Sequence, residues 1–244
     1  MSQDARRRAA RAQPVRLNSP PVLNQAFEAA GLQIARASRW AIRSAHVALE
    51  GEPPSAAHIA VTWHSMNMVG LAVHAEWRPQ AHRAFVPPGI AGAAMRGWLL
   101  GTGVEPVPLP PDGCGNPVAG LREMTRALGE GLTIGIALDG PHGPARILRP
   151  GALWLARLSG KPLVPMGYAV RPAVRLPRWD RLLVPLPNAR IAVVCGAPIH
   201  IERHAAIDDQ LRARVVGALD HAERRAWAIL DSGVSLPGPQ RNAR

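Results

Sequence analysis

The sequence has little lysine and little cysteine, and it has no long apolar run. Lys161 is the only lysine among 29 lysines and arginines, so the net charge of +12 rests on arginine, which binds phosphate in bidentate fashion. The two cysteines, Cys114 and Cys195, lack metal-ligand spacing. With only two cysteines a disulfide framework is not expected, which is typical of a reducing compartment. No apolar run approaches the roughly 20 residues needed to cross a bilayer, and the basic N-terminus lacks the apolar stretch of a secretory signal. We therefore expect a cytoplasmic protein, either free or peripheral on the inner face of the cytoplasmic membrane.

Motifs that mark several common enzyme classes are also missing. There is no Walker loop, dinucleotide fingerprint, metal-binding cluster or nucleophile elbow, so we expect neither a metal nor a bound cofactor. The positive charge indicates an anionic partner, which is a phospholipid head group, a phosphorylated substrate or nucleic acid. Nucleic acid is the least favoured of these, because the few aromatic residues are mostly scattered tryptophans that form no stacking platform. The sequence indicates no oligomeric state.

The chain divides into one domain with two short tails. Residues 1–22 are polar and rich in arginine and are predicted to be disordered, and residues 232–244 are predicted to form a flexible polar tail. Between them, residues 23–231 alternate strands with helices, which predicts one α/β domain with a mainly parallel sheet covered on both faces. Within this domain we expect the strands at 163–170 and 191–195 to be joined by a long loop.

Residues 24–50 have a helix-forming composition. Four cations fall on one helical face, with Trp40 at its edge: Arg36, Arg39, Arg43 and His46. Two interpretations stay open for this face. Either the helix lies on anionic lipid through it, or the face is only solvated, which its weakly apolar, alanine-rich opposite side favours.

The most informative segment is the turn at residues 137–144, with the sequence Ala-Leu-Asp-Gly-Pro-His-Gly-Pro. An apolar run over 132–138 predicts a buried strand, and the carboxylate of Asp139 then precedes two Gly-Pro steps that stiffen the backbone. Open α/β sheets bind ligands at the carboxyl ends of their strands, so Asp139 is a candidate site residue. The alternative is a surface turn in which Asp139 bonds its own backbone.

His64 follows a second predicted strand, over 58–63. In a parallel sheet the ends of both strands lie at the same edge, so His64 and Asp139 can share one site. Histidine is the usual general base near neutral pH, although a histidine here can also cap or pack a helix start. Three further cations are candidates for a phosphate contact or are ordinary solvated loop charges: His142, Arg146 and Arg149.

Six short segments, taken in order, resemble the lysophospholipid acyltransferase-like superfamily, and most closely its bacterial branch that is catalogued as a domain of unknown function. The resemblance covers residues 56–200. The segments are Val-Thr-Trp-His at 61–64, the turn at 137–144, Arg-Pro-Gly at 149–151, the segment 155–165, Trp-Asp-Arg at 179–181 and Gly-Ala-Pro-Ile at 196–199.

The resemblance implies a single-domain, glycerolipid acyltransferase-like α/β fold with a mostly parallel, seven-stranded sheet flanked by helices. It implies acyl transfer from acyl-CoA or acyl carrier protein to a lysophospholipid or glycerol-phosphate-type hydroxyl at the membrane surface. His64 matches the family's general base. The segment from Asp139 to His142 stands where a Glu-Gly-Thr-Arg block holds the acceptor, which makes Asp139 a second catalytic candidate. The implied acceptor-binding residues are Gly140, Pro141, His142, Gly143, Arg146 and Arg149.

The chain departs from the family pattern at three places. Val69 stands five residues after His64, where the wider family has an aspartate that orients the histidine. Residues 87–92 and 110–115 replace two further polar segments of the bacterial branch. A histidine without an acidic partner has a less well fixed tautomer, and the loss is on the order of 10⁴ in rate in a triad enzyme. Two functions therefore stay open: an acyltransferase, and an inactive relative that binds lipid at the membrane surface.

Overall fold

Helices and strands alternate along the computed structural model, which describes residues 21–77, 82–86, 89–108, 117–140 and 143–233. The strands are β1 (His46–Glu50), β2 (Ile59–Thr62), β3 (His82–Val86), β4 (Glu105–Pro108), β5 (Thr133–Ala137), β6 (Leu163–Arg175) and β7 (Leu183–Cys195). The helices are α1 (Pro21–Arg43), α2 (Asn67–Trp77), α3 (Gly89–Thr102), α4 (Pro117–Gly129), α5 (Gly151–Ser159) and α6 (Asp209–Ser232), and a short 3-10 helix spans His64–Met66.

The seven strands form one sheet in the order β1-β7-β6-β2-β5-β3-β4. Neighbouring strands are parallel except β6 and β7, which are antiparallel. This confirms the predicted α/β domain with a mostly parallel, seven-stranded sheet. Thr62 at the end of β2 pairs with Ala137 at the end of β5. His64 and Asp139 therefore each follow their paired strand end by two residues, at one edge of the sheet.

Apolar residues cover both faces of this sheet. On one face, α5 and α6 pack over the central strands, and the buried side chains there include Trp63, Leu153 and Leu219. On the other face, α1 and α2 pack over β6 and β7 through residues such as Ile42 and Val69. The site edge is thus fixed from two sides by core packing.

Helix α1 crosses α3 at very short range because glycines stand at the contact. A Cβ on Gly31 would lie 1.9 Å from the carbonyl oxygen of Ala94, and one on Gly97 would lie 1.9 Å from that of Glu28. Only glycine allows two helix backbones to approach this closely. No helix within the described residues is long and apolar enough to cross a membrane.

Two segments differ from the sequence-based expectation. Residues 24–50 are not helical throughout, because α1 ends at Arg43 and residues 46–50 pair with β7 as a parallel strand. His46 therefore lies outside the helix that was expected to carry it. The expected long loop after residue 170 is also wrong, since antiparallel pairing of β6 with β7 resumes beyond Arg171 and continues to Arg175. In both cases strand pairing decides the structure over local propensity. Of the two predicted tails, 1–20 and 234–244 lie outside the described residues.

Candidate active site

The imidazole of His64 bonds to a carboxylate that is distant in sequence. His64 opens the 3-10 helix directly after β2, and its Nδ1 lies 2.7 Å from Oδ2 of Asp180. The Asp180 side chain is fully buried, whereas that of His64 keeps 17% of its surface exposed. Asp180 lies in the turn between β6 and β7. The antiparallel pair of β6 and β7 thus places the Asp180 carboxylate at the edge where β2 and β5 end.

The remaining contacts of Asp180 hold its carboxylate in place. The backbone N–H of Leu182 donates to Oδ1 at 3.3 Å, and Nε of Arg178 lies 3.3 Å from the same oxygen. Oδ2 is then directed at Nδ1 of His64. A carboxylate at Nδ1 keeps the proton on that nitrogen and leaves Nε2 as a proton acceptor. This is the arrangement of an oriented general base.

Trp179 and two glycines form the surroundings of the imidazole. The Trp179 ring lies 5.0 Å from the His64 ring, centroid to centroid, at a tilt of 47°. Gly143 has a φ of 71° and lies so close to the indole that a Cβ would be 2.6 Å from its Cε3. At Gly140, a Cβ would be 2.8 Å from Cδ2 of His64. The turn therefore places these two glycines where larger residues would displace the indole or the imidazole.

Asp139 lies next to His64 but bonds to its backbone and not to its ring. The residue is only 1% exposed. Oδ1 accepts the backbone N–H of His64 and Oδ2 accepts that of Arg146, each at 2.8 Å. The second bond resembles the surface-turn alternative, in which Asp139 bonds its own loop. The carboxylate therefore joins the start of the 3-10 helix to the turn.

Arg146 forms ion pairs with α6, whereas Arg149 lines the cavity that His64 also lines. The guanidinium of Arg146 was expected beside a phosphate, but it pairs with Glu223 at 2.7 Å and Asp220 at 3.4 Å, both on α6. Burial acts to lower the pKa of Arg146, but the hydrogen bond to Glu223 and the charges of Glu223, Asp220 and Asp139 together outweigh it, so the pKa is raised. Arg149 donates to the carbonyl oxygen of Gly143 and lines the same cavity as His64. The candidates Pro141 and His142 lie outside the described residues.

A large cavity of about 1230 Å³ begins beside His64 and runs along the sheet. Small residues of the central strands form its floor, namely Ala60, Ala84, Gly135 and Ala137. Apolar side chains from both faces of the sheet line the rest of it: Leu71, Met95 and Leu99 lie on the face of α2 and α3, and Phe85 and Leu121 lie on the face of α4 and α5. Gly140 and Arg149 also line it, as does His58, which precedes the opposite end of β2. An apolar space of this size is suited to a hydrocarbon chain.

The sequence supplied a signal for Asp180 that was not read as a site. The Trp-Asp-Arg segment at 179–181 is one of the pieces on which the family resemblance depends, and Asp180 is one of the acids that the sequence offers to the imidazole, but the predicted site residues include neither Trp179 nor Asp180. No group of three or more His, Cys, Asp or Glu side chains within the described ranges is arranged to hold a metal ion.

Comparisons with known proteins include one curated relative and one solved structure. No protein-family model matches the chain. Uncharacterized protein RP090 of Rickettsia prowazekii (strain Madrid E) is 28% identical over 103 residues, which cover 40% of this chain and 47% of that protein. The chain thus spans about half the length of this curated relative. Among solved structures, the chain is similar to the 1-acyl-sn-glycerophosphate (LPA) acyltransferase PlsC from Thermotoga maritima. The sequence identity is 17% and the TM-score is 0.49, with 84% of this chain and 79% of that chain covered.

Proposed function

We propose that this protein transfers an acyl group from acyl-CoA or acyl carrier protein to the hydroxyl of a lysophospholipid or related glycerol-phosphate acceptor at an anionic membrane surface. One observation carries the proposal. A buried carboxylate orients the imidazole of His64, and that imidazole lines a long apolar cavity. A base and a hydrocarbon-sized space at one place are the two requirements of acyl transfer to lipid.

The reaction needs one proton acceptor and one thioester. Nε2 of His64 takes the proton of the acceptor hydroxyl as its oxygen attacks the thioester carbonyl carbon. The tetrahedral intermediate then collapses with cleavage of the C–S bond, which forms the new ester and releases the thiolate. The proton on Nε2 passes to this thiolate, and the base is regenerated. Asp180 stabilises the imidazolium between these steps without itself being protonated.

The surrounding residues have supporting roles in this proposal. The cavity holds the acyl chain and keeps water from the thioester. Of the predicted phosphate contacts Arg146 and Arg149, only Arg149 lines the cavity that His64 also lines, so Arg149 keeps this role in the proposal. Asp139 positions the backbone of His64 by accepting its N–H. The acceptor contacts of Gly140, Pro141, His142 and Gly143 stay predictions from the family resemblance.

An inactive lipid-binding protein is the competing proposal. It drew its support from Val69, which stands where the wider family has its orienting aspartate. Asp180 supplies a carboxylate to the same imidazole from another part of the chain. This contact favours chemistry over binding alone.

The test is thiol release by the purified full-length protein, given acyl-CoA or acyl carrier protein thioesters and lysophospholipid acceptors. We expect turnover that His64→Ala lowers by about 10²- to 10⁴-fold, the usual contribution of a general base. His204→Ala is the matched control, since His204 is exposed on a loop. Turnover that survives His64→Ala would reject the base. Vesicle binding without any product would favour the inactive lipid-binding protein.

A further inference from the structure

Three large apolar side chains are exposed where the cavity reaches the surface between α4 and α5. Val118 on α4 is 53% exposed, and Trp154 and Leu158 on α5 are 38% and 57% exposed. All three also line the cavity. We call this set the α4/α5 rim. A side chain that both lines a cavity and meets solvent marks the place where that cavity opens.

The spacing of these residues gives each helix a core face and a rim face. Trp154 and Leu158 are one turn apart and therefore lie on the same side of α5. The opposite side of α5 is buried in the core through Leu153, Leu155 and Ala156. Packing in the core therefore does not explain why the rim residues are apolar. Exposed apolar residues that continue into a cavity are a mark of an interaction surface.

Three arginines lie on the rim helices or line the same cavity, and none of them forms an ion pair with another described residue. Arg122 and Arg149 line the cavity with the rim residues. Arg157 stacks on the Trp154 ring, with Cζ 4.0 Å from the ring centroid. Helix α5 has no acidic residue, and Glu123, the acid of α4 nearest the rim in sequence, is paired with Arg126. The opening is therefore apolar at its centre and positively charged around it.

We infer that the α4/α5 rim rests on an anionic phospholipid bilayer, with Val118, Trp154 and Leu158 among the acyl chains and the arginines at the phosphates. A lipid chain then moves from the bilayer directly into the cavity between α4 and α5. A chain that crossed water would expose its methylenes to solvent, which is unfavourable for every methylene exposed. Transfer of the lipid's acyl chain at His64 rests on the proposed function, whereas docking of the rim on the bilayer does not.

Helix α1 is the competing surface, and its residues are arranged less well for this purpose. Phe27 and Ile34 are exposed, but Arg36 and Arg43 lie on roughly the opposite side of the helix at its periodicity of about 100° per residue. An interfacial helix has its cations beside the apolar face. No α1 residue is among the cavity-lining residues of the described chain.

The experiment measures binding of the full-length His64→Ala protein to vesicles, so that turnover plays no part. The vesicles are phosphatidylcholine alone, or phosphatidylcholine and phosphatidylglycerol in equal parts, and bound protein is measured by cosedimentation. We expect binding to the anionic vesicles. Added Leu158→Glu should weaken it at least about tenfold, since apolar burial is lost and a like charge is introduced. Arg122→Gln should weaken it by about fivefold, and only on the anionic vesicles.

Ile34→Glu on α1 is the matched control, because it places the same charge at a residue of similar exposure, 48%. We expect it to change binding by less than about twofold, as a substitution outside a membrane contact does. Anionic-vesicle binding that is unaffected by Leu158→Glu overturns the inference. Loss of self-association or of acyl carrier protein capture in that variant would then identify the occupant as protein. Failure of the proposed function shows separately, as absence of thiol release in the unsubstituted protein.

Discussion

Nδ1 of His64 and Oδ2 of Asp180 are 2.7 Å apart, although 116 positions separate the two residues in sequence. The contact forms because β6 pairs with β2 while β7 turns back along β6. The turn between β6 and β7 therefore lies at the edge where β2 ends. An acid from this turn therefore reaches the imidazole, while Val69 stands five residues after His64.

Replacing Asp180 by asparagine is expected to lower kcat by about 10²- to 10⁴-fold with little change in KM, because the imidazole loses the carboxylate that fixes its tautomer. Steady-state thiol release over a range of acceptor concentrations measures both constants. The double variant with His64→Ala should be no slower than His64→Ala alone, since Asp180 acts through His64. A kcat that is unchanged in folded Asp180→Asn would contradict the assignment, and circular dichroism establishes that the variant is folded.

Asp139→Asn is expected to affect stability first and rate second. Asparagine keeps one acceptor oxygen but presents an amide to the second backbone N–H, so a charge-assisted bond is lost at a cost of about 1.5–3 kcal/mol. Chemical denaturation measures this loss. The kcat should fall less than in Asp180→Asn, because Asp139 bonds only the backbone of His64. A larger fall in kcat than Asp180→Asn gives, without loss of stability, would place Asp139 in direct contact with the substrate.

Much of the site edge could be predicted from the sequence, and the reason is topological. Parallel strands that end in His64 and Asp139 must present both residues at one edge, whichever helices connect them. The bond between the residues was not predictable, because a carboxylate that accepts a backbone N–H and one that accepts a ring N–H look the same in a sequence. The partners of Arg146 could not be predicted either, since Glu223 lies 77 positions away on the last helix.

The contact of Asp180 with His64 could not be predicted for a different reason. A long loop was expected after residue 170, and a loop has no defined direction in space. In the structure the sheet extends through Val174, which pairs with Val184, so the turn is short and its position is determined. The pairing of β6 with β7 stabilises both strands in the folded protein. An arginine-rich, weakly apolar segment gives no sign of this pairing in its sequence.

Gly135→Leu is expected to shift chain-length preference. Gly135 lines the cavity, and no atom lies within 4 Å of an added Cβ, so a side chain can begin there without a clash and leucine fills part of the space. The kcat/KM for long-chain donors should fall by about tenfold or more relative to short-chain donors, as for a pocket that loses room for several methylenes. Competition between donors of two lengths measures the ratio. Gly217→Leu on α6 is the control, since Gly217 also has open space around it. An equal effect on both donors would mean that the chain lies elsewhere.

Arg146→Met distinguishes a structural guanidinium from a phosphate ligand. The Glu223 side chain is only 9% exposed, and Arg146 is its partner at 2.7 Å, so the variant leaves a buried carboxylate without a cation. Because the Arg146 side chain is itself 52% exposed, the expected loss of stability is about 1–2 kcal/mol rather than the full cost of breaking a buried pair. Thermal denaturation detects this, and the KM for a phosphorylated acceptor should change by less than about twofold because the guanidinium is directed at α6. Arg214→Met on the exposed side of α6 is the control. A stable variant with a raised KM would return Arg146 to the role that the sequence first indicated, because only a guanidinium that contacts the acceptor changes binding while leaving the fold intact.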